Sequence, residues 1–525
     1  MKILKMFQIH PSVVILVSLA LTTQSLDLAA KMPKPFSQEP LLQTLILQAK
    51  EDATKPFKER VAIDDEALLS MDYQTYRSIR FNTDKSLWKD SKSHELQFFH
   101  GGFFYDKPVK INVINEEGEV NPFAFDTQLF NYDSDSANIP EASREKAGYA
   151  GFRVHYPINN DQYKDEYAVF QGASYFRLIG KNQNYGLSAR ALAIDTGLPS
   201  GEEFPYFSEF WLQEPENETL TIYARIDSQS LTGMTSITLA PGDPTQAEVK
   251  TWVFVREPIT KLGFAAFTSM YFFGENTTDK PDDFRREVHD SDGVSMITHA
   301  GEQIWRPLAN PDRVRISSLF DAAPKGFGVL QRDLDFEHYL DAEAFYHRRP
   351  GLWLTPHEGF ENGHLELVEI PTESEFDDNI VAYWVSDNAV EAGDSTYVHY
   401  TLETIIGHRE SNNELIEVVR TLQSASTLPG EPKPDNPLEQ RFIVDFDFPT
   451  DMDIDQEALS ADLQVSLGES SLLRVFPIND NQQIRATFII APETEDSVVD
   501  MRLALTQKDK RLSETWNYQM EPKVD

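Results

Sequence analysis

Apolar residues recur along this chain in short, alternating runs from about Tyr76 onward, with turn residues between them. Such runs occur at Glu95 to Phe99, Val109 to Ile114, Glu166 to Phe170, Tyr185 to Ile194, Glu209 to Leu212, Thr219 to Ile226 and Lys250 to Arg256. A period of two turns successive side chains to opposite faces, so these segments predict strands. The aromatic run from Phe264 to Phe273 predicts a buried strand, and Gly351 to Leu354, Leu365 to Ile370 and Asn379 to Val385 extend the series. Helical spacing is confined to Leu41 to Ala49 and to Ile63 to Leu68, where an Asp supplies the cap. Tyr339 to Arg349 reads as a loop or short helix rich in aromatic and basic groups. Many strands at regular spacing with few helices predict an all-β protein of sandwich or barrel type.

A chain of 525 residues exceeds one ordinary hydrophobic core, so two domains are expected. The small, polar, glycine-bearing stretch Ser386 to Asp394 is the expected linker. This gives one domain over residues 31–388 and a second over 389–525. In the second, Thr396 to Leu402, Leu415 to Leu422, Arg441 to Phe446, Leu463 to Leu467, Ile484 to Ile490, Val498 to Leu505 and Trp516 to Met520 read as strands. That number in so short a segment predicts an immunoglobulin-like sandwich. The proline-rich stretch Pro429 to Pro437 is expected to be a long loop inside it.

Residues 1–30 have the form of a secretory signal. Lys2 and Lys5 precede the apolar run Val13 to Leu21, and Leu28-Ala29-Ala30 offers small residues for cleavage. No twin arginine precedes the run, which points to export of an unfolded chain. No other segment is apolar enough to insert in a membrane, and periplasmic localisation is the expectation. The formal net charge of −38 repels nucleic acid and anionic membrane surfaces, leaving neutral or cationic partners. There is no cysteine.

The densest chemistry lies in Phe284-Arg285-Arg286-Glu287-Val288-His289-Asp290-Ser291-Asp292-Gly293, a glycine-ended turn between apolar segments. It fails as a calcium loop, because with Gly293 in the sixth place the first ligand position falls on Val288. Phosphate-cradling loops, dinucleotide fingerprints and zinc-protease signatures are missing. His357-Glu358 with His364 has the wrong spacing for zinc. Neither metal nor cofactor is expected. Carboxylates with aromatics and arginines remain, the groups that bind sugars through apolar ring faces and hydroxyls. Trp305, Trp353 and Trp384 lie on or beside these polar loops, and Arg285 and Arg348 are the candidate hydroxyl-binding cations. Asp290 or Asp292, with Asp377 or Asp378, could supply the two carboxyls of an inverting glycosidase, which stand about 6.5–9.5 Å apart.

The wording of the chain is similar to that of the OpgG/OpgD (MdoG) family of periplasmic glucans biosynthesis proteins. The matching stretches include Val169-Phe170-Gln171-Gly172-Ala173-Ser174-Tyr175-Phe176-Arg177, Tyr185-Gly186-Leu187-Ser188-Ala189-Arg190, Glu287 through Gly293, Ile304-Trp305-Arg306-Pro307-Leu308, Asp378-Asn379-Ile380-Val381-Ala382 and Leu512-Ser513-Glu514-Thr515-Trp516. Without a twin-arginine signal the chain looks closer to the G member. The resemblance implies a large galactose-mutarotase-like β-sandwich joined to a small immunoglobulin-like one. It implies a role in making osmoregulated periplasmic glucans, with a β-1,2-glucan polysaccharide as ligand and a membrane glucan synthase as a further partner. It implies inverting cleavage of β-1,2-glucan, with Asp378 as general acid, Asp290 as general base and Tyr346 in a proton relay. The alternative is a non-catalytic glucan-binding or assembly factor. Around Glu375-Phe376-Asp377 the family more often reads Glu-Thr-Asn, a departure beside the acid.

Overall fold

The computed structural model describes residues 39–408, 415–447, 455–479, 482–508 and 510–522. The expected export signal over residues 1–30 lies outside them. Among the described residues no helix is long and apolar enough to cross a membrane.

The protein is all-β, and two large sheets face each other through most of its length. The first is a nine-stranded antiparallel sheet in the order Arg315–Asp321, Gly363–Glu369, Ile380–Ser386, Leu262–Ser269, Ser188–Ile194, Tyr175–Leu178, Asp165–Gln171, Tyr149–Tyr156 and Glu95–His100. The second runs through Gly293–Ile297, Gly326–Leu330, Gly351–Glu358, Ser395–Ile405, Gln246–Val255, Leu231–Ala240, Leu220–Asp227, Tyr206–Gln213 and Lys110–Ile114. Phe152, Phe170, Leu192 and Phe267 from one sheet meet Phe210, Ile222, Val249 and Leu402 from the other in one core. The outer face of the second sheet is covered by the helix Pro40–Asp52. Its Leu42, Leu45, Ile46 and Ala49 recur at helical spacing and pack on Trp211, Met234 and Trp252. With that face covered, Leu231–Ala240 is buried along most of its length and shows little alternation.

The boundary between the two units differs from the expected one. Ser395–Ile405, read from sequence as the opening strand of the second domain, pairs with Gln246–Val255 on one side and Gly351–Glu358 on the other. The stretch Ser386 to Asp394 is therefore a connection within the large sandwich, and the change of core falls after Ile405. The second core draws on residues from Ile416 onward and takes in Trp305 and Leu330 at the seam. It lies between a four-stranded sheet, ordered Glu417–Ala425, Gln440–Asp447, Gln483–Ala491 and Glu469–Ile478, and the strands Leu459–Val465, Val499–Gln507 and Thr515–Met520. The proline-rich stretch connects two strands of this sandwich.

The two units share a sheet. Thr515–Met520 runs parallel to Gln303–Pro307, with Ile304 opposite Thr515 and Trp305 opposite Trp516. Beside this seam Arg332 donates to both oxygens of Glu514, at 2.6 and 3.1 Å, and stacks 3.6 Å from the centre of the Trp305 ring. Glu514 also accepts from the Val418 amide at 2.7 Å. Both members of the pair are buried, so removing either leaves an uncompensated charge.

A chain ending at Asn388 lacks the strand that lies between two others and exposes two unpaired edges. It is expected to lose its cooperative thermal transition, whereas a chain ending at His408, which keeps this strand but loses Glu514 and the seam, retains one at lower temperature than the full chain. Melting followed by circular dichroism compares them, and equally cooperative melting of both would refute the placement of this strand.

Candidate active site

The nine-stranded sheet delivers two aspartates to one place. After the strand Leu262–Ser269 the chain continues into Tyr271–Phe273, which pairs with Val288–His289. The Asp290 amide then donates to Met270 O at 2.9 Å, and the Ser291 and Ser269 hydroxyls meet at 2.8 Å. On the neighbouring strand, the buried Asn379 accepts from the Tyr271 amide at 2.8 Å and donates to the Tyr271 and Ile370 carbonyls, each at 3.0 Å. One side-chain amide thus satisfies backbone groups where the strand ladder stops. Its predecessor, Asp378, is brought to the cleft that Asp290 lines.

This cleft has a volume of about 790 Å³, and Arg177, Tyr346, Arg349 and Glu375 line it with the two aspartates. Asp290 is 5% exposed. Burial pushes its pKa up; the Arg349 guanidinium, which donates to its Oδ1, pulls it down, and the charge of Asp378 pushes it up again. Asp378 has an exposed surface, yet the surrounding walls withdraw water from its carboxyl. That desolvation is the largest influence and raises its pKa; Arg177 and Arg349 oppose it, and Asp377 reinforces it. Two carboxyls are thus held above their usual range at one cleft, the direction of shift that acid–base catalysis uses.

Tyr346 is buried in the short 3₁₀ turn Tyr346–Arg348. Its hydroxyl donates to Glu375 at 2.8 Å, and burial followed by that bond keeps the phenol protonated. Glu375 also accepts from Arg285 at 2.8 Å, while Arg285 reaches Asp341 at 3.0 Å and Asp283 at 2.7 Å. In this structure the tyrosine proton is therefore directed at Glu375, with Asp290 joined to the same turn through Arg349. The Arg349 guanidinium lies 4.4 Å from the centre of the Tyr346 ring.

Behind this layer, Gln331 holds the turn carrying Asp290 against the loop carrying Tyr346. It accepts from His289 Nδ1 at 3.0 Å if that nitrogen carries the proton, and it donates to Tyr339 Oη at 2.8 Å and the Tyr346 carbonyl at 3.4 Å. His289 Nε2 meets Glu287 at 2.9 Å. Burial works against charge on His289, but Glu287 outweighs it and raises its pKa.

Of the residues expected from sequence, Asp378, Asp290, Tyr346 and Arg285 come together at this cleft. Trp305, Trp353 and Trp384 do not. All three are buried, and each covers a glycine on the adjacent strand, two positions from the residue directly opposite. Trp305 covers Gly293, Trp353 covers Gly326 and Trp384 covers Gly363. These indoles pack the sheets by cross-strand contact and are unavailable for stacking on a ligand. Arg348 is exposed beside Phe345 and lies outside the cleft lining; its neighbour Arg349 is the cleft residue. Arg349 lies three residues after Tyr346 across a 3₁₀ turn, and that spacing places both on one side. Glu375, Arg177 and Gln331 were also missed, because their roles rest on partners far away in sequence.

Asp292 is turned away from the cleft, toward the seam with the second sandwich. Its Oδ2 accepts from the Arg332 and Asp333 amides, both at 2.9 Å. Asp292→Ala leaves these donors without their partner and is expected to cost about 1–3 kcal/mol, measured by denaturant unfolding. Unchanged stability would show that the amides find other acceptors. Among the described residues, Glu287, Asp333 and His338 bring ligand-type atoms within 4.8 Å of one another. Hydrogen bonds from His289 to Glu287 and between His338 and Asp333 already account for that grouping.

Residues 41–520 match the family described as periplasmic glucan biosynthesis protein, MdoG. A Ralstonia nicotianae protein named glucans biosynthesis protein G is 40% identical over 491 residues, covering 92% of this chain and 96% of the relative. A protein of the same name from Vibrio cholerae is 37% identical over 482 residues, covering 90% and 86%. One from Pseudomonas paraeruginosa is 40% identical over 468 residues, covering 86% and 87%. With the family matched over nearly the whole described chain, this protein belongs to the MdoG family of periplasmic glucan biosynthesis proteins.

Proposed function

We propose that this protein acts in the periplasm in the making of glucans, and that it cleaves linear β-1,2-glucan with inversion. The observation that supports the hydrolytic part of this reading is the convergence of Asp290 and Asp378, both with raised pKa, on one cleft, while the linkage and the inversion are what the family resemblance implies. Asp378, protonated and open to the cleft, delivers its proton to the departing glycosidic oxygen. Asp290, whose ionised form its contact with Arg349 favours, draws a proton from the attacking water, with Tyr346 as the intermediate hydroxyl. The present bond of that hydroxyl to Glu375 requires it to turn toward the water when substrate is bound. The other reading is a non-catalytic factor that binds glucan and presents it to a membrane-bound synthase. The relatives' name, which speaks of biosynthesis, favours it.

Asp378→Asn keeps the side chain's shape but has no proton of suitable acidity to give. It is expected to lower cleavage by about 10²–10⁴-fold while the fold and glucan binding persist. Tyr346→Phe is expected to slow cleavage with little change in binding. Release of shorter oligosaccharides, with circular dichroism as folding control, reads both. Near-normal cleavage by folded Asp378→Asn protein would sink the hydrolase reading and leave the assembly factor.

The pH profile gives a second check. The base must be ionised and the acid protonated, so activity falls below the pKa of Asp290 and above that of Asp378. Arg349 lowers both pKa values. Arg349→Met therefore raises both, and the two limbs of the profile are expected to move to higher pH. Limbs that stay in place would show that these carboxyls do not set the profile.

A further inference from the structure

Two exposed phenyl rings stand at the cleft where no folding role explains them. Phe284 is 76% exposed and Phe376 is 90% exposed, and both line the cleft that holds Asp290 and Asp378. Exposed apolar side chains are ordinary when scattered, but two beside one polar cleft form a patch with a ligand's chemistry.

Their backbones are held firmly. Thr372 and Asn310 exchange hydrogen bonds at 3.0 and 2.8 Å, and Thr372 also donates to Asp377 at 2.9 Å. The Phe376 amide donates to Ser374 Oγ at 3.1 Å. On the other loop, Arg285 is fixed by Asp283, Asp341 and Glu375. The Arg285–Glu375 contact joins the two loops directly. Phe284 precedes Arg285 and Phe376 follows Glu375, so one ion pair fixes the bases of both aromatic residues. The same Glu375 accepts from Tyr346, which ties this rim to the candidate proton relay.

We infer that Phe284 and Phe376 are stacking platforms for the glucosyl rings of the bound chain, and that they take the part sequence reading gave to Trp305, Trp353 and Trp384. The inference rests on the glucan reading of the cleft and adds the residues that seat the polymer. A phenyl ring offers neither donor nor acceptor and fits the C–H face of a pyranose, while the nearby arginines and carboxylates address its hydroxyls. Phenylalanine stacking uses no directional hydrogen bond, so any of the identical glucosyl units of a repetitive chain can occupy it. A neutral polysaccharide also suits a chain with a net charge of −38, which repels polyanions.

Titration calorimetry with linear β-1,2-glucan tests this in an Asp378→Asn background, which keeps the polymer intact. Phe284→Ala and Phe376→Ala are each expected to weaken binding about three- to tenfold. Phe376→Trp, which keeps an aromatic face, should retain the parental affinity. Phe320→Ala, which removes a ring 71% exposed outside the cleft lining, should leave it unchanged. Parental affinity in both Phe284→Ala and Phe376→Ala, when the parent binds glucan, would overturn the platforms alone. Failure of the wild-type chain and the parent alike to bind glucan would overturn the glucan reading and the platforms with it. An equal loss in Phe320→Ala would show that the effect is not local to the cleft.

Discussion

A carboxylate at the end of a buried strand needs a compensating partner, and Asp290 has one in Arg349. Isolated, that charge would be neutralised or would disrupt the fold, since burial penalises the ionised form. The contact fixes the loop carrying Tyr346 beside the turn carrying Asp290. Arg349 also donates to the Ala344 carbonyl at 3.1 and 3.2 Å, so its own loop closes around it. From this arrangement follow the placement of Tyr346, its bond to Glu375 and the bridge from Glu375 to Arg285. The cleft is a chain of charge compensations, each linking segments far apart in sequence.

Beneath it the fold supplies rigidity by redundancy. Asn379 completes a ladder at the point where strands diverge, and Gln331 braces the two loops from behind. The second sandwich adds to this support. Arg332 pairs with Glu514 across the seam, and its backbone amide is held by Asp292. Asp292 is two residues from Asp290, so the unit without candidate catalytic residues buttresses the turn that holds one.

The all-β class, the N-terminal helix and many strands of both sandwiches were legible in the sequence, and the family resemblance supplied Asp290, Asp378 and Tyr346 as a set. Tyr149–Tyr156, Leu231–Ala240, Gly293–Ile297, Gln303–Pro307, Arg315–Asp321, Gly326–Leu330 and Glu469–Ile478 were not read as strands. Alternation is a local property, and strands that bury one face write it directly into the chain. Glu469–Ile478 escaped because most of its residues are exposed and its apolar residues do not alternate cleanly. The three tryptophans misled because sequence shows that a ring is present but not what it covers.

What the sequence determined by itself is the set of elements and the kinds of chemistry available: carboxyls, arginines and aromatics in glycine-ended turns between strands. Tertiary structure decided which of them meet. Asp290 and Asp292 are indistinguishable by composition, yet the chain leaves the pair Tyr271–Phe273 and Val288–His289 at Asp290 and enters the second large sheet at Gly293. That change of sheet turns one aspartate to the cleft and the other to the seam. Ser395–Ile405 likewise carries a strand's pattern without stating its sheet, because partners are chosen by non-local backbone pairing and core packing. Local periodicity specifies a face; only the assembled sheets specify what lies opposite it.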